Sequence, residues 1–262
     1  MHNDTVHVRI PEDLYPDIFE HLEGDKDTLS KCSTVSKEFL NPCRRVLFRR
    51  IVVGEVEDGT NLKFAGFQRF LQDHPAHCRL IKHLGPAQSP MYGSYLPGIT
   101  PSQVWDIVRL LPSLQQLVFQ NVSFGEVEPL ITGVPCIHMP RLEFRSCVTS
   151  TTVFRRFLRP FIIGELCIGA LLTHGEWTMN LEPSDVPTVV RSLVLLMTPS
   201  RAFVEAILSA IAWDSCENLY AYASSTSQIQ TLGCFVERTI TGLRDITLNI
   251  QGWKSSKEGE RC

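Results

Sequence analysis

Residues 139–147 read Met139-Pro140-Arg141-Leu142-Glu143-Phe144-Arg145-Ser146-Cys147. Apolar side chains stand at the first, fourth and sixth places, charged ones lie between, and a cysteine holds the ninth. Alternation with period two through Leu142, Glu143, Phe144 and Arg145 is the pattern of a strand with one buried face. The same first, fourth and sixth arrangement recurs on both sides of this stretch. Its members are Phe48/Ile51/Val53, Ile81/Leu84/Pro86, Leu114/Leu117/Phe119, Ile163/Leu166/Ile168, Val190/Leu193/Leu195, Cys216/Leu219/Ala221 and Leu243/Ile246/Leu248. Successive sets begin about 28 residues apart on average, so the chain repeats one supersecondary unit.

That period and pattern resemble a degenerate leucine-rich repeat, whose strand carries apolar residues at positions 1, 4 and 6 and Asn or Cys at 9. Only Cys147 occupies the ninth position as the motif asks. The resemblance implies an α/β fold in which a curved parallel-sheet solenoid spans residues 46–253, with strands centred near residues 51, 84, 117, 142, 166, 193, 219 and 246. Pro86 lacks a backbone donor, so its strand should be short or bent. Helices are expected between strands. Phe64, Phe67, Phe70 and Leu71 mark one, and Thr100-Pro101 followed by Val104, Ile107, Val108 and Leu111 marks another. Phe154, Phe157 and Leu158 mark a third, Thr198-Pro199 with Val204, Ile207, Leu208 and Ile211 a fourth, and Ile229, Leu232, Val236 and Ile240 a fifth. Thr-Pro suits an N-cap followed by a first helical position. Residues 85–99, rich in Pro, Gly, Ser and Tyr, look like an inserted loop, and Lys254 to Cys262 like a polar tail.

The first fifty residues follow a different period. Leu14, Ile18 and Leu22 recur at helical spacing after Pro11, Glu12 and Asp13, and Gly24 is placed to stop the helix. Asp27 is a candidate N-cap for a second helix with Leu29, Cys32, Val35, Ser36 and Phe39 as its stripe and Pro42 as its end. The ordered set Ile10-Pro11, Leu14, Ile18, Leu29, Val35-Ser36 and Phe39 resembles the F-box family, with Ile10 where the pattern has Leu and Phe39 where it has Trp. The run Arg44 to Ile51 looks like the exit strand of F-box-like proteins abundant in mushroom-forming fungi. The resemblance assigns residues 8–45 to an F-box-like helical motif. It implies that Ile10, Pro11, Leu14, Ile18, Leu29, Val35 and Phe39 dock on the Skp-type adaptor of a Skp–cullin–F-box ubiquitin ligase. A helical hairpin that merely caps a solenoid is the alternative reading of the same residues.

Composition narrows the function. With 44% hydrophobic residues the chain can bury a large core, and a net charge of −3 supplies no field for gripping nucleic acid or an anionic membrane. No apolar run is long enough to span a bilayer. Nine cysteines and an N-terminal stretch without an apolar run suggest free thiols in a cytoplasmic or nuclear protein. The sequons at Asn3 and Asn121 then carry no meaning, and no prenylation box follows Cys262. No phosphate-cradling loop and no nucleophile elbow occurs. His74, His77, Cys78 and His83 lie close in sequence but suit a solvated turn better than a metal site, since Pro75 breaks any shared helical face. Cys136 and His138 suit ordinary packing. The basic run Arg44, Arg45, Arg49 and Arg50 suits a solvated strand edge, with Arg49 facing away from Phe48 and Arg50.

The expected chain is therefore non-enzymatic, without cofactor or metal, and binds proteins. One class of function is a substrate receptor that brings a target to a ligase. The other is a repeat scaffold without ligase association. Positions 4 and 6 feed the core, so positions 3, 5 and 7 line the opposite, concave face. There Arg141, Glu143 and Arg145 flank an apolar, aromatic patch of Val194, Leu196, Tyr220 and Tyr222, the expected target-binding surface.

Overall fold

The computed structural model describes residues 10–54, 62–87, 99–125, 136–169, 171–173, 187–196, 207, 210–223, 225–239 and 242–250. A 3-10 turn (Glu12–Leu14) enters α1 (Tyr15–Glu20), followed by α2 (Lys26–Val35) and α3 (Lys37–Arg49). Tyr15, Phe19, Leu29, Cys43 and Val46 form a small core of their own. Phe39 meets Tyr15 edge-on at 4.9 Å between ring centroids and Phe19 at 5.3 Å, the geometry that ring quadrupoles prefer.

Three local expectations change here. Asp25, not Asp27, caps α2, its carboxylate accepting from the Thr28 amide at 3.0 Å. The stripe from Leu29 to Phe39 is split in two at Ser36, which is extended (φ −152°, ψ 162°) and caps α3 through the Phe39 amide at 3.2 Å. Pro42 does not end a helix but lies inside α3. It forfeits one backbone bond, and the burial of Cys43 and Val46 beyond it outweighs that local loss. Phe48 and Arg49 are consequently helical, and Arg49 pairs with Glu20 at 3.1 Å instead of sitting on a strand.

Beyond α3 come β1 (Arg50–Gly54), α4 (Leu62–Asp73), α5 (Pro75–Cys78), β2 (His83–Ala87), α6 (Pro101–Arg109) and β3 (Gln116–Gln120). Then follow β4 (Ile137–Arg145), β5 (Cys147–Thr149), α7 (Thr151–Leu158), β6 (Phe161–Ile168), β7 (Leu171–Thr173) and β8 (Thr188–Leu195). Last are β9 (Ile211–Ala212), β10 (Asn218–Ala223), α8 (Thr226–Thr239) and β11 (Asp245–Ile250). The main sheet runs β1-β2-β3-β4-β6-β8-β10-β11, with β9 added beside β8, and is not closed. Neighbouring strands pair in parallel, so the chain crosses back to the same end of the sheet between them.

The pairing register aligns the fourth position of every set. Ile51, Leu84, Leu117, Leu142, Leu166, Leu193, Leu219 and Ile246 are Cα partners in turn across the sheet. From Leu84 to Leu219 this row is buried, and Phe119, Phe144, Ile168, Leu195 and Ala221 form a second buried row at position 6. In β11 the row surfaces: Ile246 and Leu248, expected in the core, are exposed because β11 is an edge strand. The β2–β3 pairing holds at His83, Leu84 and Ala87, interrupted around Pro86, which has no N–H to give.

Helices close the apolar face. Thr100 and Gln103 make a reciprocal capping box at the start of α6, and Ser150 caps α7 through the Val153 amide. Trp105 on α6 donates to the Phe157 carbonyl on α7 at 3.3 Å, while Phe119, Phe144, Phe154 and Phe157 interlock beneath. Position 8 is a left-handed turn in two successive repeats, at Asn121 (φ 55°) and Ser146 (φ 51°). Just after it Cys147 is buried, its Sγ donating to the Phe119 carbonyl of the preceding strand at 3.5 Å. Gly164 permits a close approach of β6 to β4, since a Cβ there would lie 2.6 Å from the Pro140 carbonyl oxygen. No helix among the described residues is long and apolar enough to cross a membrane. The helix expected after Thr198-Pro199 falls mostly outside the described residues, although Ile211, assigned to it, lies in β9. The tail from Lys254 lies outside them altogether.

Candidate functional site

Two surfaces collect the side chains singled out from the sequence. The first is on the helical region. Leu14 and Ile18, four residues apart, are exposed, and so are Ile10, Pro11 and Val35, the last at 69%. The Tyr15 hydroxyl donates to the Ile10 carbonyl at 3.2 Å and ties down the segment that carries Ile10 and Pro11. Leu29 is not on this surface: it is 0% exposed and belongs to the small core, so no partner reaches it. Phe39 is half-buried between Tyr15 and Phe19. Five of the seven expected residues thus remain outside a core that is complete without them.

The second surface is the face of the sheet opposite the helices. Arg141, Glu143 and Arg145 come together as expected, but their roles differ from one another. Glu143 is 1% exposed, held by Arg145 Nε at 2.6 Å and Arg141 Nη2 at 3.4 Å, so it organises cations and does not itself meet a partner. The bond from Arg145 to Glu143 raises the guanidinium pKa, against a smaller opposing effect of burial. Arg141 reaches on to Glu165 at 3.0 Å, and Glu165 accepts from the Cys167 thiol at 3.1 Å. Burial, with Glu165 beside it, pushes the Cys167 thiol up to about 12, so it is not a nucleophile.

The network extends further than sequence reasoning carried it. Gln116 Nε2 donates to Glu143 at 3.5 Å, which turns its Oε1 toward His83 Nδ1 at 3.1 Å. With Gln116 in that orientation its Oε1 can accept a hydrogen bond from His83 Nδ1. These residues occupy position 3 of β2 and β3, one lane with Arg141 and Glu165. Carrying the lane back from Arg141 to Gln116, His83 and Arg50 would have found them. Here the sheet holds a hollow of about 230 Å³, with Arg50, His83, Gln116 and Arg145 around it and Val52 and Val118 at its base. Gly85 keeps it open; a Cβ there would meet only the Val118 carbonyl oxygen at 3.7 Å.

At the other end of this face, Tyr220 and Tyr222 point away from the core, since Leu219, Ala221 and Ala223, which alternate with them, are buried. Val194 is half-buried beside Tyr220, its Cα partner, and Leu196 is exposed. Asn249 donates to the Tyr220 hydroxyl at 3.3 Å, fixing the ring. Among the described residues no three or more His, Cys, Asp or Glu side chains are grouped to hold a metal ion. His74 stacks on Phe70 at 4.7 Å, and Cys78 donates to the Leu71 carbonyl at 3.4 Å. Comparison with known proteins finds no family model that matches the chain, and no curated protein that matches it.

Proposed function

We propose that this chain is a non-enzymatic substrate receptor of a Skp–cullin–F-box ubiquitin ligase, in which the helical region docks on the Skp-type adaptor and the repeat solenoid holds a target protein. The observation that carries the reading is the exposed apolar set Ile10, Pro11, Leu14, Ile18 and Val35 beside a finished core. Apolar side chains left outside a packed helical core suit a partner's apolar groove better than they suit water. The F-box-like order of these residues names the adaptor as that partner. Proximity is the only catalytic contribution such a receptor makes: it raises the local concentration of target at the ligase. The opposite surface supports the second half of the reading, with fixed guanidinium groups at one end and Tyr220 and Tyr222 at the other, the residue types that dominate protein-binding hot spots.

The test is co-purification with a Skp-type adaptor. Leu14→Asp with Val35→Asp should abolish binding while the sheet stays folded, because neither side chain belongs to a core. Adaptor retained by the double variant rules this docking surface out. Failure of the unaltered chain to bind any adaptor leaves the solenoid as a scaffold without ligase association.

A further inference from the structure

The helical region meets the sheet along a cleft of about 350 Å³. α3 supplies Arg45 and Arg49, four residues apart and so on one helical face. The turn that enters β2 supplies Arg79 and Lys82 from the other side. Glu20 is the carboxylate on the lining, and it is already paired with Arg49 at 3.1 Å. Four cations against one anion leave the cleft with three positive charges in excess, inside a chain whose net charge is −3. The walls do not drift apart to relieve this, because the Lys82 amide donates to the Arg49 carbonyl at 2.9 Å across them. Like charges converging on a narrow, partly apolar cleft focus a strong positive potential there. Arg49 adds a second observation: its Nε is shut off from water and has no hydrogen-bond partner. A buried polar atom without a partner is uncommon, and native proteins keep one where a ligand or a working role accounts for it.

We infer that this cleft binds a small phosphate-bearing anion, which neutralises the converging cations and ties α3 to the segment entering β2. The size fits: the volume falls at the lower end of small-ligand sites, which begin near roughly 300 Å³. The charge selects phosphate over carboxylate, because one carboxylate would leave two of the three excess charges unanswered, while a phosphate monoester, at about −1.5 to −2, answers nearly two and leaves about one. Guanidinium groups offer paired donors to phosphate oxygens, and Lys82 adds a point charge. A nucleic-acid backbone fits poorly, since an acidic chain offers no continuing basic track beyond the cleft. This inference stands independently of the ligase reading.

The full chain is titrated with inorganic pyrophosphate and with inorganic phosphate, by calorimetry and by thermal melting. Saturable one-to-one heat and a raised melting temperature with pyrophosphate are expected, with weaker binding of phosphate. Arg45→Gln combined with Arg79→Gln, both exposed and outside the core, should weaken pyrophosphate at least tenfold without lowering the melting temperature of the free protein. Arg49→Gln should weaken it too, though it also loses the Glu20 pair. The inference is overturned if potassium chloride at matched ionic strength raises the melting temperature as much, since screening alone then explains the effect. It is equally overturned if no heat is observed, or if the Arg45/Arg79 double variant binds with unchanged affinity.

Discussion

The helical region and the sheet divide their apolar residues in opposite ways. In the sheet, row 4 is buried from Leu84 to Leu219 and row 6 from Phe119 to Ala221, and charged residues gather on the other face, tied to one another. In the helical region, a core of five buried residues leaves an apolar set at the surface that nothing in its own fold requires there. The physical difference lies in what each pattern can hide by itself. A strand inside a sheet has neighbours on both sides and helices beneath, so each apolar row is covered by the next repeat. Three short helices cover only one side of one another. Apolar residues are therefore covered by their own fold in the sheet, whereas in the helices five of them stay bare among the described residues, which is what the proposed docking rests on.

The sharpest way to break that contrast is to truncate one apolar residue from each region. Phe144→Ala removes a ring packed against Phe119, Phe154 and Phe157 and should cost about 3–5 kcal/mol in urea unfolding. Val35→Ala should change stability by less than about 0.5 kcal/mol. Equal losses would mean that the Val35 surface is part of the fold and not a docking site.

A smaller effect tests the polar face. Glu143→Gln keeps the shape of the side chain but leaves Arg141 and Arg145 without their shared carboxylate. Both arginines are about half exposed, so solvent screens the loss, and about 1–3 kcal/mol is expected. A neutral result would show that the buried carboxylate is not what orders the cations.

Thiol labelling sharpens the comparison without altering stability. Burial pushes Cys147 and Cys216 up to about 11 and Cys167 to about 12, while Cys136 is exposed. Iodoacetamide at neutral pH, followed by peptide mass spectrometry, should modify Cys136 and spare those three in the native protein. Prompt labelling of Cys147 would mean that the strand turns open in solution.

The smallest expected effect lies at the seam between the regions. His77 packs against Phe48 at 4.5 Å, and burial, aided by Arg44 and His74, lowers its pKa below 6.5. The folded state therefore resists a proton that the unfolded chain accepts. Stability falls as pH drops through 6.5 and levels off below the folded value. His77→Gln should flatten the difference between denaturation curves at pH 7.5 and pH 5.5, relative to the unaltered chain.

Much of the sheet was legible in the sequence because its information is periodic. Each strand repeats the same two apolar positions, Pro86 apart as the proline in its set, and the eight expected centres fall within β1, β2, β3, β4, β6, β8, β10 and β11. Thr100-Pro101 also marked its helix start, since a cap is decided within four residues. What was not legible depends on contacts between distant residues. Pro42 looks like a stop until Cys43 and Val46 are known to be buried beyond it. Leu29 and Val35 belong to one apolar stripe, yet one is sealed and the other bare. The bond between His83 and Gln116 spans 33 residues of chain and emerges only from the pairing of β2 with β3.

α3 has a mechanical consequence. Its 13 residues form one helix about 20 Å long, short of a single backbone bond at Pro42. Near its middle Cys43 and Val46 are set in the helical core, while at its end Phe48 is packed against the core of the sheet. A rod clamped in two places cannot swivel in one of them alone. Whatever seizes the helical region therefore takes hold of the sheet as by a stiff handle, at a set distance and a set angle. A run of glycines long enough to melt the middle of α3 would turn that handle into a tether: grip at one end would survive while aim at the other was lost.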